Sequence, residues 1–186
     1  MHSVARLLLI GGLIVTACSS PPAKLPYVEI TSASIAASDA LPIPSGDVAM
    51  TVGGAVSKIT EGSVVELDLA TIEQMGLIRY VVHDPWLDQD LEFTGVLLSA
   101  FVDAVGASPD ATTLTFQAID DYEVEITISD IRRWPIMLAT RTNGEPMTLE
   151  DKGPTRVVFP YDQFPEIDQL VYKNLWIWQI SAITVS

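Results

Sequence analysis

One cysteine, Cys18, is all the thiol chemistry in 186 residues. A single thiol excludes an intrachain disulfide and any metal site built from two or four cysteines. Histidine is nearly as scarce, with only His2 and His83. Structural and catalytic zinc sites draw several ligands from these two residue types, so a zinc protein is not expected. A hydrolytic triad has one imidazole to use once a leader carrying His2 is removed, and no Gly-x-Ser-x-Gly segment is present. Bases are few as well. Ten Lys and Arg face 24 Asp and Glu, for a net charge of −14. A chain that acidic repels phosphate backbones, which excludes nucleic acid as a partner.

What the chain does have is enough apolar surface to fold. Its hydrophobic fraction is 48% and its charged fraction 18%, which excludes disorder over the whole length. The length suits one domain with a core of its own. The apolar run Leu7–Ala17 is shorter than the ~20 residues a membrane span requires. With Arg6 before it, the run reads as the central part of a secretory signal. Val15-Thr16-Ala17-Cys18 resembles a bacterial lipobox, in which the cysteine is lipidated and becomes the mature N-terminus. Ser19 after it favours the outer membrane of a Gram-negative cell. Ordinary secretion with a free Cys18 is the alternative. The expected organisation is a lipoprotein signal peptide over 1–17, a lipidated cysteine and proline-bearing tether over 18–44, and a domain over 45–186.

The domain reads as strand-rich α+β with two or three short helices. Strands are expected at Ala49–Ser57, Val64–Leu67, Leu77–His83, Thr112–Ala118, Glu123–Ile128, Ile136–Arg141, Thr155–Phe159 and Trp176–Val185. A further short strand at Tyr27–Ile30 interrupts the tether. Asp68 suits the cap of a helix through Met75, stopped by Gly76. Val96–Val105 carries apolar residues at helical spacing. Ser129 or Asp130 caps one helical turn before Pro135, and Asn143-Gly144 marks a tight turn.

Five of the ten bases, Arg132, Arg133, Arg141, Lys152 and Arg156, fall between positions 132 and 156. They read either as a solvated face or as a basic pocket for an anionic or carbonyl-rich ligand. His83-Asp84-Pro85-Trp86 closes a strand in an irregular loop, a common place for ligand contacts. Trp86 there is a core or lid aromatic, or a stacking face. Asp120-Asp121-Tyr122 sits at a turn, where a carboxylate beside an aromatic suits a flat heterocycle. Trp134, Trp176 and Trp178 read as core.

The order of segments carries a resemblance. Phe93-Thr94-Gly95-Val96-Leu97-Leu98 is followed by Ala118-Ile119-Asp120-Asp121-Tyr122. Then come Leu138–Met147, Lys152-Gly153-Pro154-Thr155-Arg156 with Val157–Pro160, and Trp178-Gln179-Ile180. This resembles the oxidoreductase molybdopterin-binding domain, the sulfite-oxidase fold, over roughly Val48 to Val185. The resemblance implies a mixed strand-rich sandwich with a pterin between these loops. It places Trp86, Asp121, Tyr122, Arg141, Lys152 and Arg156 around one cleft. The family's molybdenum-ligating cysteine belongs in the loop that here reads His83-Asp84-Pro85-Trp86, and no cysteine stands there. The chain is similar to a cysteine-free exported subgroup that binds a reduced, metal-free pterin and acts on a membrane-bound cyclic-di-GMP enzyme. The expectation is therefore a lipid-anchored periplasmic pterin-binding protein without metal or catalysis. A molybdopterin-dependent oxidoreductase with an atypical metal ligand, or a protein-contact module, is the alternative.

Overall fold

A computed structural model describes residues 25–186. Cys18, the signal segment and the start of the tether lie outside the described residues. The strands are β1 (Val28–Thr31), β2 (Val48–Gly54), β3 (Val65–Asp68), β4 (Leu77–Asp84), β5 (Gln89–Leu97) and β6 (Thr113–Ala118). They continue with β7 (Glu123–Thr127), β8 (Met137–Thr142), β9 (Glu145–Pro146), β10 (Arg156–Val158) and β11 (Ile180–Val185). The α-helices are short: α1 (Leu69–Glu73), α2 (Leu98–Ala104), α3 (Ile128–Arg133) and α4 (Leu170–Lys173). One sheet has the order β1-β4-β5-β8-β10, with β9 on β8; the other has the order β3-β2-β11-β6-β7. Only β2 and β11 pair in parallel among these ladders, so the second sheet is mixed. The inner faces share one core that joins Phe93, Leu138 and Val157 to Val52, Phe116 and Ile183.

Period-2 alternation decides which side chains enter that core. In β6, Leu114, Phe116 and Ala118 point in; in β7, Val124 and Ile126 do. In β4 the inward set is Ile78, Tyr80 and Val82, and the same register carries Asp84 inside. By contrast β8 is buried continuously from Met137 to Thr140, as expected where both faces are covered.

Several expectations shift. The helix expected from Val96 begins at Leu98, because Val96 and Leu97 still pair with Leu138 and Met137 in the sheet. Gly95 makes that pairing possible, since a Cβ there would lie 2.2 Å from the Leu138 carbonyl oxygen. β5 has no counterpart among the expected strands, because its Leu91–Phe93 alternation spans only three residues and follows Asp90. The cap of α3 is Thr127, whose hydroxyl accepts from the Asp130 N–H at 3.1 Å, rather than Ser129 or Asp130. The last strand starts at Ile180, because Gln179 takes a φ of 53° and breaks the extended run. Within the expected tether, β1 pairs with β4, and Ile35 and Leu41 are buried in the core. The folded body thus includes residues before 45.

Asp68 caps α1 as its sequence position predicts, and does more. One carboxylate oxygen accepts from the Thr71 N–H at 2.8 Å. The other accepts from the N–H groups of Ser45 and Gly46, both at 2.9 Å. Burial alone would raise its pKa, but these hydrogen bonds outweigh it and hold the carboxyl well below the usual carboxylate range. A carboxyl with a depressed pKa stabilises the fold above its unfolded value of about 4, and the contribution fades as pH falls below that. Asp68→Ala is expected to lower the unfolding free energy by about 1–3 kcal/mol at pH 7. Urea denaturation between pH 7 and pH 3 should show the gap between wild type and variant narrowing toward the acid end. A gap independent of pH would show that the carboxylate charge is not what Asp68 contributes.

Candidate functional site

The site grows from the inward carboxylate at the end of β4. Asp84 has no exposure to solvent. One of its oxygens accepts from the N–H groups of Trp86 and Leu87, at 2.8 and 3.0 Å, which folds the chain into a turn after Pro85. The other accepts from the Arg156 guanidinium at 2.9 Å. Arg156 is 1% exposed, and its guanidinium carbon stands 4.9 Å from the Phe93 ring centroid and 5.2 Å from that of Trp176. Burial lowers the Arg156 pKa, with Asp84 pulling the other way. The Nε of Arg156 has no hydrogen-bond partner.

That turn projects Trp86 outward, 48% exposed and edge-on to Trp178, with ring centroids 6.4 Å apart and planes at 71°. Residue 178 itself pairs across a β-bridge with Arg156. Lys152 places its ammonium 4.4 Å from the Trp178 ring centroid. The loop that carries Lys152 is tightly folded. Lys152 has a φ of 66°, and at Gly153 a Cβ would meet the Met147 carbonyl oxygen at 2.3 Å. A left-handed lysine is uncommon and costs on the order of 1 kcal/mol. Burial lowers the Lys152 pKa; Arg156 adds to the effect and Asp84 opposes it.

His83, just before Asp84, is fixed on both sides. Its Nδ1 is 3.0 Å from Asp90 and its Nε2 3.3 Å from Asp88. Its N–H donates to Asp162 at 2.7 Å, and its carbonyl accepts from the Tyr161 hydroxyl. The hydrogen bond to Asp90 raises its pKa above the usual imidazole value. The lone imidazole of the described residues is thus engaged in closing the β4–β5 hairpin.

Two cavities border this cluster, one on Lys152 and Arg156 and the other on Trp86 and Trp178. A polar cleft of about 400 Å³ is lined by Leu91, Met147, Lys152 and Arg156, with Glu145, Glu150 and Asp151 on its wall. An aromatic cavity of about 290 Å³ is lined by Trp86, Asp120, Tyr122, Asn174, Trp176 and Trp178. The sequence-predicted residues divide accordingly. Lys152 and Arg156 line the cleft, while Trp86 and Tyr122 line the aromatic cavity. Asp121 lines neither. It occupies the left-handed position of the turn, with φ 66°, and its carboxylate accepts from Gln117 at 3.3 Å while Asp120 faces the cavity. Arg141 also lines neither. Glu73 holds its guanidinium through two bonds of 2.9 and 2.8 Å, and Thr140 donates to the same carboxylate at 2.8 Å. One expected cleft is therefore two, with Asp121 and Arg141 outside both. Sequence reasoning marked the segments of Asp84 and Asp120 but chose their neighbours Trp86 and Asp121, and it read Trp178 as core, whereas Trp178 lines the aromatic cavity. The alternation of β4 was the available signal for Asp84.

Residues 50–164 match the family described as the oxidoreductase molybdopterin-binding domain. Among solved structures the chain is similar to the sulfane dehydrogenase SoxCD from Paracoccus pantotrophus, with a TM-score of 0.53 and 15% identity. The match covers 73% of this chain and 37% of that one, so this chain spans little more than a third of that protein's length. At that identity the likeness speaks for the fold alone. No curated protein matches the chain in sequence.

The buried pair can be tested by its coupling. Asp84→Ala is expected to cost about 3–5 kcal/mol of stability, because Arg156 is left charged and unpaired inside the core. Asp84→Leu combined with Arg156→Met should recover most of that loss. Denaturant titration followed by tryptophan fluorescence measures both. A double variant no more stable than Asp84→Ala would show that the penalty does not come from the orphaned charge.

Proposed function

The chain belongs to the oxidoreductase molybdopterin-binding domain family, and from that premise we propose that its polar cleft binds a pterin without catalysis. A pterin presents an amino-pyrimidinone edge, with adjacent N–H donors and a carbonyl, and a flat apolar face. The cleft offers matching chemistry: cations for the carbonyl, carboxylates for the N–H donors, and Leu91 and Met147 for the face. The observation that carries the reading is the state of the two cations. Arg156 commits one nitrogen to Asp84 while its buried Nε has no partner. Lys152 makes no ion pair with any described residue, only its contact with the Trp178 ring. A buried guanidinium with bonding capacity left is a costly thing to keep, and a ligand oxygen in the cleft offsets that cost.

The same residues do not fit a thiolate-held metal. The loop at the end of β4 presents Asp84, whose oxygens already accept three hydrogen bonds, and the chain's one cysteine lies far before it. No redox step is assigned to this domain on that ground. In this reading the lipidated Cys18 anchors the protein to the periplasmic side of a membrane. Pterin occupancy is then passed by contact to the periplasmic domain of a membrane-bound cyclic-di-GMP enzyme.

Two experiments test the proposal. Calorimetric titration with a tetrahydropterin should give saturable binding to the wild type, weakened about tenfold in Lys152→Met with the fold intact. Equal affinity in the variant would remove Lys152 from the site. No binding to the wild type would favour the contact-module reading, and stoichiometric molybdenum in natively expressed protein would favour the oxidoreductase. Separately, Cys18→Ser should move the protein from the membrane pellet to the soluble periplasmic fraction, since without acyl chains nothing holds it. Unchanged pelleting would rule out the lipid anchor.

A further inference from the structure

The aromatic cavity that Trp178 lines is not used by the pterin reading, and its chemistry differs from that of the cleft. Its walls are Trp86, Tyr122 and Trp178 over a floor of Trp176, with one carboxylate, Asp120, and no cationic side chain among its lining residues. We propose that this cavity is a binding site for an alkylated ammonium ion, of the choline and tetramethylammonium class.

Three observations select that class. First, Trp86 and Trp178 meet at 71°, with centroids 6.4 Å apart. A flat heterocycle prefers walls it can lie parallel to. Two rings near a right angle form a corner that wraps a rounded group, such as a methylated ammonium. Second, the negative ring faces and the Asp120 carboxylate both favour positive charge, as does a protein of net charge −14. Trp178 already attracts cations, for the Lys152 ammonium is 4.4 Å and the Arg156 guanidinium carbon 6.0 Å from its ring centroid. Third, the cavity is poor in acceptors. A primary ammonium has three N–H donors to satisfy. The side-chain acceptors among the lining residues are the Asp120 carboxylate, which already takes the Tyr122 N–H at 3.2 Å, the Asn174 amide oxygen and the Tyr122 hydroxyl oxygen; the other lining side chains are aromatic or aliphatic. An ammonium whose protons are replaced by methyl groups needs no such partners and gains contact with the rings instead. Trp86 and Tyr122 are 48% and 51% exposed, so the cavity is open to a small ligand without any movement of the core.

The test uses the tryptophans as reporters. Choline, tetramethylammonium and 3,3-dimethylbutan-1-ol, the uncharged isostere of choline, are titrated into the full chain while fluorescence is followed. Choline and tetramethylammonium are expected to give saturable changes, with choline binding at least about tenfold more tightly than the isostere. Trp86→Leu should weaken choline by about tenfold and Asp120→Asn by roughly threefold, with circular dichroism confirming that each variant is folded. Both positions are at the surface, so neither change disturbs the core. Equal binding of choline and the isostere would show an apolar pocket with no preference for charge, and would overturn the proposal. So would the lack of any saturable response to the cations. Titration of choline in the presence of saturating tetrahydropterin separates this proposal from the preceding one. An unchanged midpoint supports two sites, whereas displacement would mean that the pterin occupies the aromatic cavity and that no separate cation site exists.

Discussion

A carboxylate sits where the alternation of β4 calls for a fourth apolar side chain, and the shape of the site follows from how that charge is satisfied. An unpaired carboxylate in a core is prohibitively costly. Asp84 meets this with three hydrogen bonds drawn from two directions. The two backbone donors bend the chain into the turn that exposes Trp86. The guanidinium ties β4 to β10, and the backbone of Arg156 also bridges to residue 178, whose tryptophan lines the aromatic cavity. Replacing the pair with apolar groups could leave the core as stable. It would remove the reason for the turn and for the orientation of Trp86.

The Lys152 loop plays the complementary part. Lys152 is held left-handed, with its ammonium over an indole ring. Its neighbour Gly153 packs against the backbone of Met147, where no side chain fits. Strain of this kind persists where the surrounding structure over-determines it. Here the surroundings are the Trp178 ring and a cleft that Arg156 and three carboxylates also line.

Much of this was legible in the sequence, and the exceptions share a cause. Strands β4, β6 and β7 announce themselves by alternation, Asp68 by its position before an apolar run, and Asn143-Gly144 by turn chemistry that its φ values of 52° and 86° bear out. What could not be read locally was decided by partners distant in sequence. Val96 and Leu97 belong to a strand because β8 lies beside them, although their spacing also suits a helix. Arg141 is engaged by Glu73 from α1, 68 residues away. Asp120 and Asp121 differ only in which side of a turn each one takes. Residue type identified Lys152, Arg156 and Trp86 as candidates, but only the fold shows that the first two line one cavity while Trp86 lines another together with Trp178.

The placement of β11 has a consequence for how the chain comes into being. The strand that ends the described sequence lies in the middle of its sheet, parallel to β2 and antiparallel to β6. Until residues 180–185 arrive, β2 and β6 each present an open edge toward a gap, and the two halves of the sheet have nothing between them. Such long-range pairing is slow to form. A growing chain therefore keeps this sheet unfinished until residues 180–185 are made, and is exposed to edge-to-edge association for the same interval.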